Sequence, residues 1–362
     1  MRGFVHTTDP VRVVFGTGTV NRVREEAERL GARRTLLLSS PSARSVGPVR
    51  ARLGPLLAAE FAGAAPHTPV EVTERALRVL RESDVDGLVA IGGGSTTGLS
   101  KALAVRTGLP QIIVPTTYAG SEVTSVLGET ENGRKTTRSD PKILPDTVLY
   151  DVDFTLGLPV AMSVTSAVNA LAHAVEALYA PEVDHVSEDR ALEAIALIAR
   201  ALPQVAARPS DPDARTDLLH AAWLAGTCLA AVGMGLHHKL CHTLGGSFAM
   251  PHAATHTVVL PHVMAYNAPA AGEVMRRIAR VMGVDDAPGG AHDLIARVGG
   301  PTSLRDLGMA ETDLARAAEL ATAHPYPNPR EPDRESVEAL LVDAWYGREP
   351  GASSRGGPGA AD

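Results

Sequence analysis

The chain has 362 residues, 44% hydrophobic and 21% charged, a balance that excludes a wholly disordered polymer and suggests about two domains. Acidic residues outnumber basic ones by 41 to 34, for a net charge of -7, which argues against nucleic-acid binding through a general basic surface. Two cysteines, Cys228 and Cys241, cannot build a disulfide framework, and no run of about 18 uncharged apolar residues is present to span a membrane.

At the N-terminus, MRGFVHTTDP lacks the apolar core of a signal peptide, so a cytoplasmic protein is expected. Residues 11–15 predict a short strand and 20–30 an amphipathic helix. Residues 35–38 predict a buried strand ending at Ser39. A polar-faced helix over 45–59, a weak strand near 60–64 and a helix over 72–83 follow. Residues 87–91 are a strong strand running into Gly92, Gly93 and Gly94, with a helix over 95–107 and another strand at 111–114. Short apolar runs alternating with helices predict an α/β N-terminal domain, residues 1–155, with a mostly parallel, doubly wound sheet. Strand signals then disappear, and Ala-rich stretches at helical spacing dominate (164–180, 188–207, 216–231 and 271–282). They predict an all-α C-terminal domain over 156–349, with a rigid loop at 325–329 and a last helix at 333–346. The Gly-, Pro- and Ser-rich tail, 350–362, is expected to be disordered.

Gly92, Gly93, Gly94 and Ser95 join a strand to a helix, where glycines admit a pyrophosphate and the helix N-terminus presents free N–H groups. The same residues also suit a plain tight turn, and GxGxxG is absent. The next strand ends in a second polar loop, with Thr116, Thr117 and Ser121. Two such loops on the carboxyl edge of an open sheet form a crevice for a nucleotide. Ser39, where many NAD enzymes carry an acid, is neutral and leaves both NADH and NADPH open.

Six of the 13 histidines (His237, His238, His242, His252, His256 and His262) fall within 26 residues. Asn169 and His173, His238 and His242, and His252 and His256 each stand four apart, so each pair shares one helix face. A shared polar site is the functional reading; core or surface histidines are the bland one. Imidazoles suit zinc or iron(II), but Asn169 is a poor ligand where a carboxylate would serve a dication, and the chemistry leans toward weak or absent metal. Without metal the rings can hold protons and face an anionic substrate.

The segments VRVVFGTG (11–18), PTTYAGSEVT (115–124), LHHKLCHTLGG (236–246), PHAATH (251–256), LPH (260–262) and NPR (328–330) resemble the iron-containing alcohol dehydrogenase superfamily, in its maleylacetate reductase branch. The resemblance spans nearly the whole chain. It implies a dehydroquinate synthase-like, iron-containing alcohol dehydrogenase-like fold, a homodimer, and NADH or NADPH as cofactor. It also implies that the superfamily's metal-ligand positions fall on Asn169, His173, His238 and His252, and that this branch carries asparagine at the first and holds no tightly bound metal. The implied activity is reduction of the C=C bond of maleylacetate, a dicarboxylate, to 3-oxoadipate in aromatic-compound degradation. On this reading His173, His238 and His252 stabilise an enolate oxygen, His242 donates or relays the proton, and Tyr326 is a weaker second acid. Lys135 is expected near cofactor or substrate, while Asn169, His256, Arg138 and Lys142 are expected to bind substrate. Each of the cations also suits a solvated surface position. A metal-dependent alcohol dehydrogenase, a lyase or cyclase on the same scaffold, and a non-catalytic nucleotide-binding module are the rival readings.

Overall fold

The computed structural model describes residues 10–41, 45–132 and 134–352, without the side chains of Arg134 and Lys135. Most of the tail expected to be disordered, from residue 353 on, lies outside the described residues. Contacts divide the chain into two units. One takes in the described residues from Pro10 to Pro159 together with Pro209–Ala230; the other takes Val160–Arg208 and the described residues from Ala231 onward.

The first unit is built on six parallel strands: β1 (Arg12–Gly16), β2 (Thr35–Leu38), β3 (Leu57–Phe61), β4 (Gly87–Gly92), β5 (Gln111–Pro115) and, after a two-stranded antiparallel hairpin of β6 (Val126–Glu131) and β7 (Arg134–Ser139), β8 (Thr147–Asp151). Their order is β1-β8-β5-β4-β2-β3. Helices α1 (Val23–Arg29), α2 (Val46–Leu53), α3 (Val70–Glu82) and α4 (Gly94–Thr107) connect them. Strands β2, β5 and β8 are buried throughout, the condition of a parallel sheet covered on both faces, and β2 and β5 accordingly read as short apolar runs. On one face, Val23 and Ala27 of α1 and Val49 and Leu53 of α2 pack with Leu37, Val89, Ile91, Ile112 and Val114. The order places the carboxyl ends of β2, β4 and β5 side by side.

Three local features depart from the sequence pattern. The helix expected over 45–59 stops at Leu53, because Gly54 takes φ +52° and Pro55 follows it; β3 therefore begins at Leu57. The β6–β7 hairpin and β8 carry no separate strand signal in the sequence reading, β8 being a five-residue run beside the point where the pattern changes. Helix α7 (Pro212–Ala231), which the sequence groups with the helical half, groups almost entirely with the sheet-bearing unit. Fully buried Arg215 holds it there, donating to the carbonyls of Pro209 and Leu158 at 2.8 Å each and to the Tyr118 hydroxyl at 2.9 Å.

The second unit is helical among its described residues: α5 (Val160–Leu178), α6 (His185–Ala207), α8 (Leu236–Ser247), α9 (His252–Asn267), α10 (Gly272–Met282), α11 (Ala287–Arg297), α12 (Leu314–Thr322) and α13 (Arg334–Tyr346). Helix α5 is apolar on nearly every face and is buried from Ser166 to Leu178, the pattern of a central helix. Leu240 and Leu244 of α8, Val259 and Val263 of α9, Ala317 and Ala321 of α12, and Leu341 of α13 share one core. No single helix among the described residues is long and apolar enough to cross a membrane.

Helix α9 carries a pH-sensitive group. The His262 ring is buried, and neither nitrogen has a hydrogen-bond partner among the described residues. Burial pushes its pKa down to about 4, against a pull upward from Asp343 and a smaller push downward from His292. The unfolded chain takes up this proton near pH 6.5 and the folded chain only near 4. Stability is therefore complete above pH 6.5 and declines as pH falls toward 4, by roughly 3 kcal/mol from this residue. Urea unfolding across that window should show a shallower acid decline in His262→Leu; parallel declines would mean that His262 titrates normally.

Candidate active site

Two sets of residues collect the predicted chemistry, one in each unit. In the sheet-bearing unit, β4 turns through Gly92 and Gly93 into α4. Gly92 has φ +152°, and a Cβ there would lie 2.4 Å from Thr96 Oγ1; one at Gly93 would lie 3.0 Å from Thr117. At Gly94 nothing stands within 4 Å of a Cβ. The N-cap Gly93 offers no side-chain acceptor, and its carbonyl takes the N–H groups of Thr96 and Thr97 at 3.1 Å each; the N–H groups of Gly94 and Ser95 at the start of this 14-residue helix are left for an anion or water. The Thr116 N–H donates to the Gly92 carbonyl at 2.9 Å, seating the second loop against the first. Ser39 follows β2 on the same edge, buried, its backbone bonded to Phe61 and Ala64. Gly92, Gly93, Gly94, Ser95, Thr116, Thr117 and Ser39 thus line the carboxyl ends of three adjacent strands, and the tight glycine turn beside open space at Gly94 fits a nucleotide's phosphates.

What holds the second loop is a residue that sequence reasoning missed. Lys101 is buried, and its Nζ donates to the carbonyls of Ser121 (2.6 Å), Thr124 (2.7 Å) and Val126 (3.0 Å) and to Thr124 Oγ1 (2.9 Å). Burial lowers its pKa to about 7, while nearby Glu122 raises it. Glu122, buried in turn, accepts from the Tyr150 hydroxyl at 2.9 Å, and burial raises its own pKa. Ser121 thus turns its carbonyl toward Lys101. The available signal was one lysine within the apolar stretch LSKALAV.

In the helical unit the histidines converge. The His173 and His238 rings stack with centroids 5.0 Å apart and planes 22° from parallel. His242 lies 6.1 Å from His238 and 6.4 Å from His252, stacked on the latter. His252 and His256 meet at 4.5 Å, and His238 and His256 at 5.0 Å. Asn169 is buried one turn before His173 on the same face of α5. His173 Nδ1 and His238 Nε2 are buried without a hydrogen-bond partner among the described residues, the state of groups placed for a ligand. Burial, reinforced by neighbouring imidazoles, holds the His173, His237 and His256 pKa values well below the usual range. His256 is wholly buried, its Nδ1 2.9 Å from His237 Nε2, so it stands behind His252 instead of facing outward.

A second missed residue completes the cluster. Glu176, three residues after His173 on α5, is buried with an oxygen 2.6 Å from His238 Nδ1. Its signal was a lone carboxylate in the apolar helix VNALAHAVEAL. Cys241 is buried 3.7 Å from His237 Nε2, and burial pushes its thiol pKa well up. Tyr326 is partly buried, its hydroxyl lacks a partner among the described residues, and Lys239 lies 5.9 Å from its ring. Burial and then Glu176 raise its pKa, which weakens it as an acid.

The predicted carboxylate-binding cations fall in the other unit. Arg138 is exposed on β7 and paired at 3.3 Å with Glu129, which also takes Arg106 at 2.8 Å; that is a hairpin ion pair. Lys142 is exposed in a short turn capped by Asp140. The Lys135 side chain lies outside the described residues.

A parallel sheet with a glycine turn at its carboxyl edge and a helical unit carrying clustered imidazoles are the elements of a two-part dehydrogenase. Residues 10–152 match the family model for iron-containing alcohol dehydrogenase, and 163–345 match its C-terminal model. The chain belongs to the iron-containing alcohol dehydrogenase family. Within it, the chain is 58% identical over 348 residues to maleylacetate reductase 1 of Rhodococcus opacus, covering 96% of this chain and 98% of that one. The crystal structure of maleylacetate reductase from Rhizobium sp. strain MTP-10005 superimposes with a TM-score of 0.92 at 52% identity, covering 97% of this chain and 100% of that one. That from Agrobacterium tumefaciens gives 0.92 at 50% identity with the same coverage.

The iron in the family's description can be set against these residues. Position 169 offers a neutral amide where a carboxylate would serve a dication. Among the described residues, the donor atoms that converge within 4.8 Å are those of His237, Cys241 and His256, not of His173, His238 and His252. With no anionic ligand and no preformed convergence, the family's ligand positions do not fit a tightly held dication.

Proposed function

We propose that this protein reduces maleylacetate to 3-oxoadipate with NADH or NADPH. The observation that carries this reading is near-full-length similarity to maleylacetate reductases, 58% identity over 96% of the chain in one case. Reduced nicotinamide supplies a hydride. The substrate's double bond is conjugated to a ketone, so hydride addition at the carbon β to that ketone places negative charge on the ketone oxygen. His173, His238 and His252 face that oxygen as N–H donors, a contribution of several kcal/mol when the donors are held in place beforehand. His242 delivers the proton that saturates the α carbon, with Tyr326 as a weaker second donor. Asn169 and His256 support this pocket. Gly92, Gly93, Gly94 and Ser95 bind the nucleotide's phosphates beside Thr116, Thr117 and Ser121, and neutral Ser39 accepts either nucleotide. Arg138, Lys142 and Lys135 remain candidates for the substrate carboxylates or cofactor. Homodimeric assembly in the cytoplasm belongs to the same reading, with light scattering as its check.

The test follows oxidation of each reduced nucleotide with maleylacetate and with simple aldehydes, before and after chelation. Maleylacetate-dependent oxidation that survives chelation is expected. Preference for aldehydes with essential stoichiometric iron or zinc would overturn the reading in favour of a metal-dependent alcohol dehydrogenase. A nucleotide returned unchanged would indicate a lyase or cyclase.

A further inference from the structure

Helix α8 carries His238 and His242, and its N-cap is Gly235, which offers no side-chain cap. The unpaired N–H groups of a helix start must find acceptors elsewhere. Here they come from far away in sequence. Glu176 accepts from the N–H groups of Gly235 (3.2 Å), His237 (2.8 Å) and His238 (3.3 Å), and Asn328 Oδ1 accepts from that of Leu236 (3.2 Å). A carboxylate at this end also meets the favourable end of the helix dipole. The fit is close: a Cβ on Gly235 would stand 2.9 Å from Asn328 Oδ1 and 3.2 Å from Glu176 Oε1. Asn328 is fixed in turn by Asn267, to which its Nδ2 donates at 2.7 Å.

We propose that Glu176 is a positioning residue for the reduction, holding the proton of His238 on Nδ1 so that Nε2 is the nitrogen offered to substrate. An ionised carboxylate only accepts hydrogen bonds. At 2.6 Å from Nδ1, Glu176 therefore requires N–H there whether the ring is neutral or cationic, and it is the cationic ring that also carries the Nε2–H donated to the substrate oxygen. Nε2 is the buried atom without a partner among the described residues. The carboxylate orients the ring as an outer-shell acid orients a ligating histidine, with the substrate oxygen in the metal's place. Asn328, two residues beyond Tyr326, ties the Tyr326 loop to the same helix start. The kinetic consequence rests on the reductase reading; the tautomer does not.

The experiment uses the full-length protein labelled with 15N-histidine, the His238 ring being assigned by loss of its signals in His238→Gln. A proton on Nδ1, with or without one on Nε2, is expected in the wild type; a bare Nδ1 overturns the proposal. In Glu176→Gln, where an NH2 must oppose either a backbone N–H or the ring, loss of the fixed Nδ1 proton is expected. A fall in kcat of roughly 10–100-fold should accompany it, with little change in KM for the nucleotide. Wild-type turnover and an unchanged ring would sink the proposal. Should Glu176→Gln fail to fold, Glu176→Asp, which keeps the charge and draws the carboxylate back by one methylene, is read identically. Absence of wild-type turnover on maleylacetate would defeat the reductase reading while leaving the tautomer result standing.

Discussion

Turnover of His242→Ala is expected to fall by roughly 10²–10⁴-fold, the range for losing a general acid. That corresponds to about 3–5 kcal/mol in the barrier. The geometry argues for a loss confined to chemistry. His242 is exposed on α8, with its ring between those of His238 and His252. Truncation of an exposed helical side chain to alanine, the best helix former, shifts stability by only about 0.5 kcal/mol. Thermal unfolding should therefore match the wild type while kcat collapses. The other candidate donor, Tyr326, is held in its protonated form by burial and by Glu176, so Tyr326→Phe should lose less. Activity in His242→Ala within about tenfold of wild type would move the proton delivery elsewhere.

Gly226→Val is expected to destabilise the protein by roughly 4 kcal/mol or more, among the largest effects of single substitutions. Helix propensity points the other way at an interior glycine, by about 1 kcal/mol for alanine. Packing decides. A Cβ on Gly226 would lie 2.2 Å from the Gly120 carbonyl oxygen and 2.7 Å from Val123 Cγ2. Gly120 has φ +78°, and its loop is tied to Lys101 through the Ser121 carbonyl, so neither backbone can retreat cheaply. Because this contact seats α7 on the loop that carries Thr116 and Thr117, Gly226→Ala should raise the nucleotide KM even where it folds. Urea denaturation and nucleotide titration check the two statements. A Gly226→Val protein as stable as wild type would show that α7 is free to shift.

The nucleotide edge was legible because each part of it is local. A buried parallel strand is a short apolar run, and β2, β4 and β5 fall where the pattern puts them. The glycines after β4 mark a turn that side chains would crowd. The histidines were legible for a similar reason: positions four apart share a helix face, so Asn169 with His173, and His238 with His242, announce common surfaces. Strand β8, although interior to the sheet, was not legible, since its three apolar residues, Val148, Leu149 and Tyr150, beside a change of pattern suit a strand or a helix end.

By itself the sequence determined which faces are apolar, where the chain must turn, and which helices carry imidazoles, because those properties repeat with the period of a single element. Only the tertiary structure decided that Glu176 meets His238 across 62 residues, that His237 pairs with His256, that Lys101 gathers the carbonyls of a distant loop, and that α7 groups with the sheet-bearing unit. Such contacts join polar groups on different elements. Burial makes each of them obligatory once the elements pack, but periodicity does not say which partner will be there.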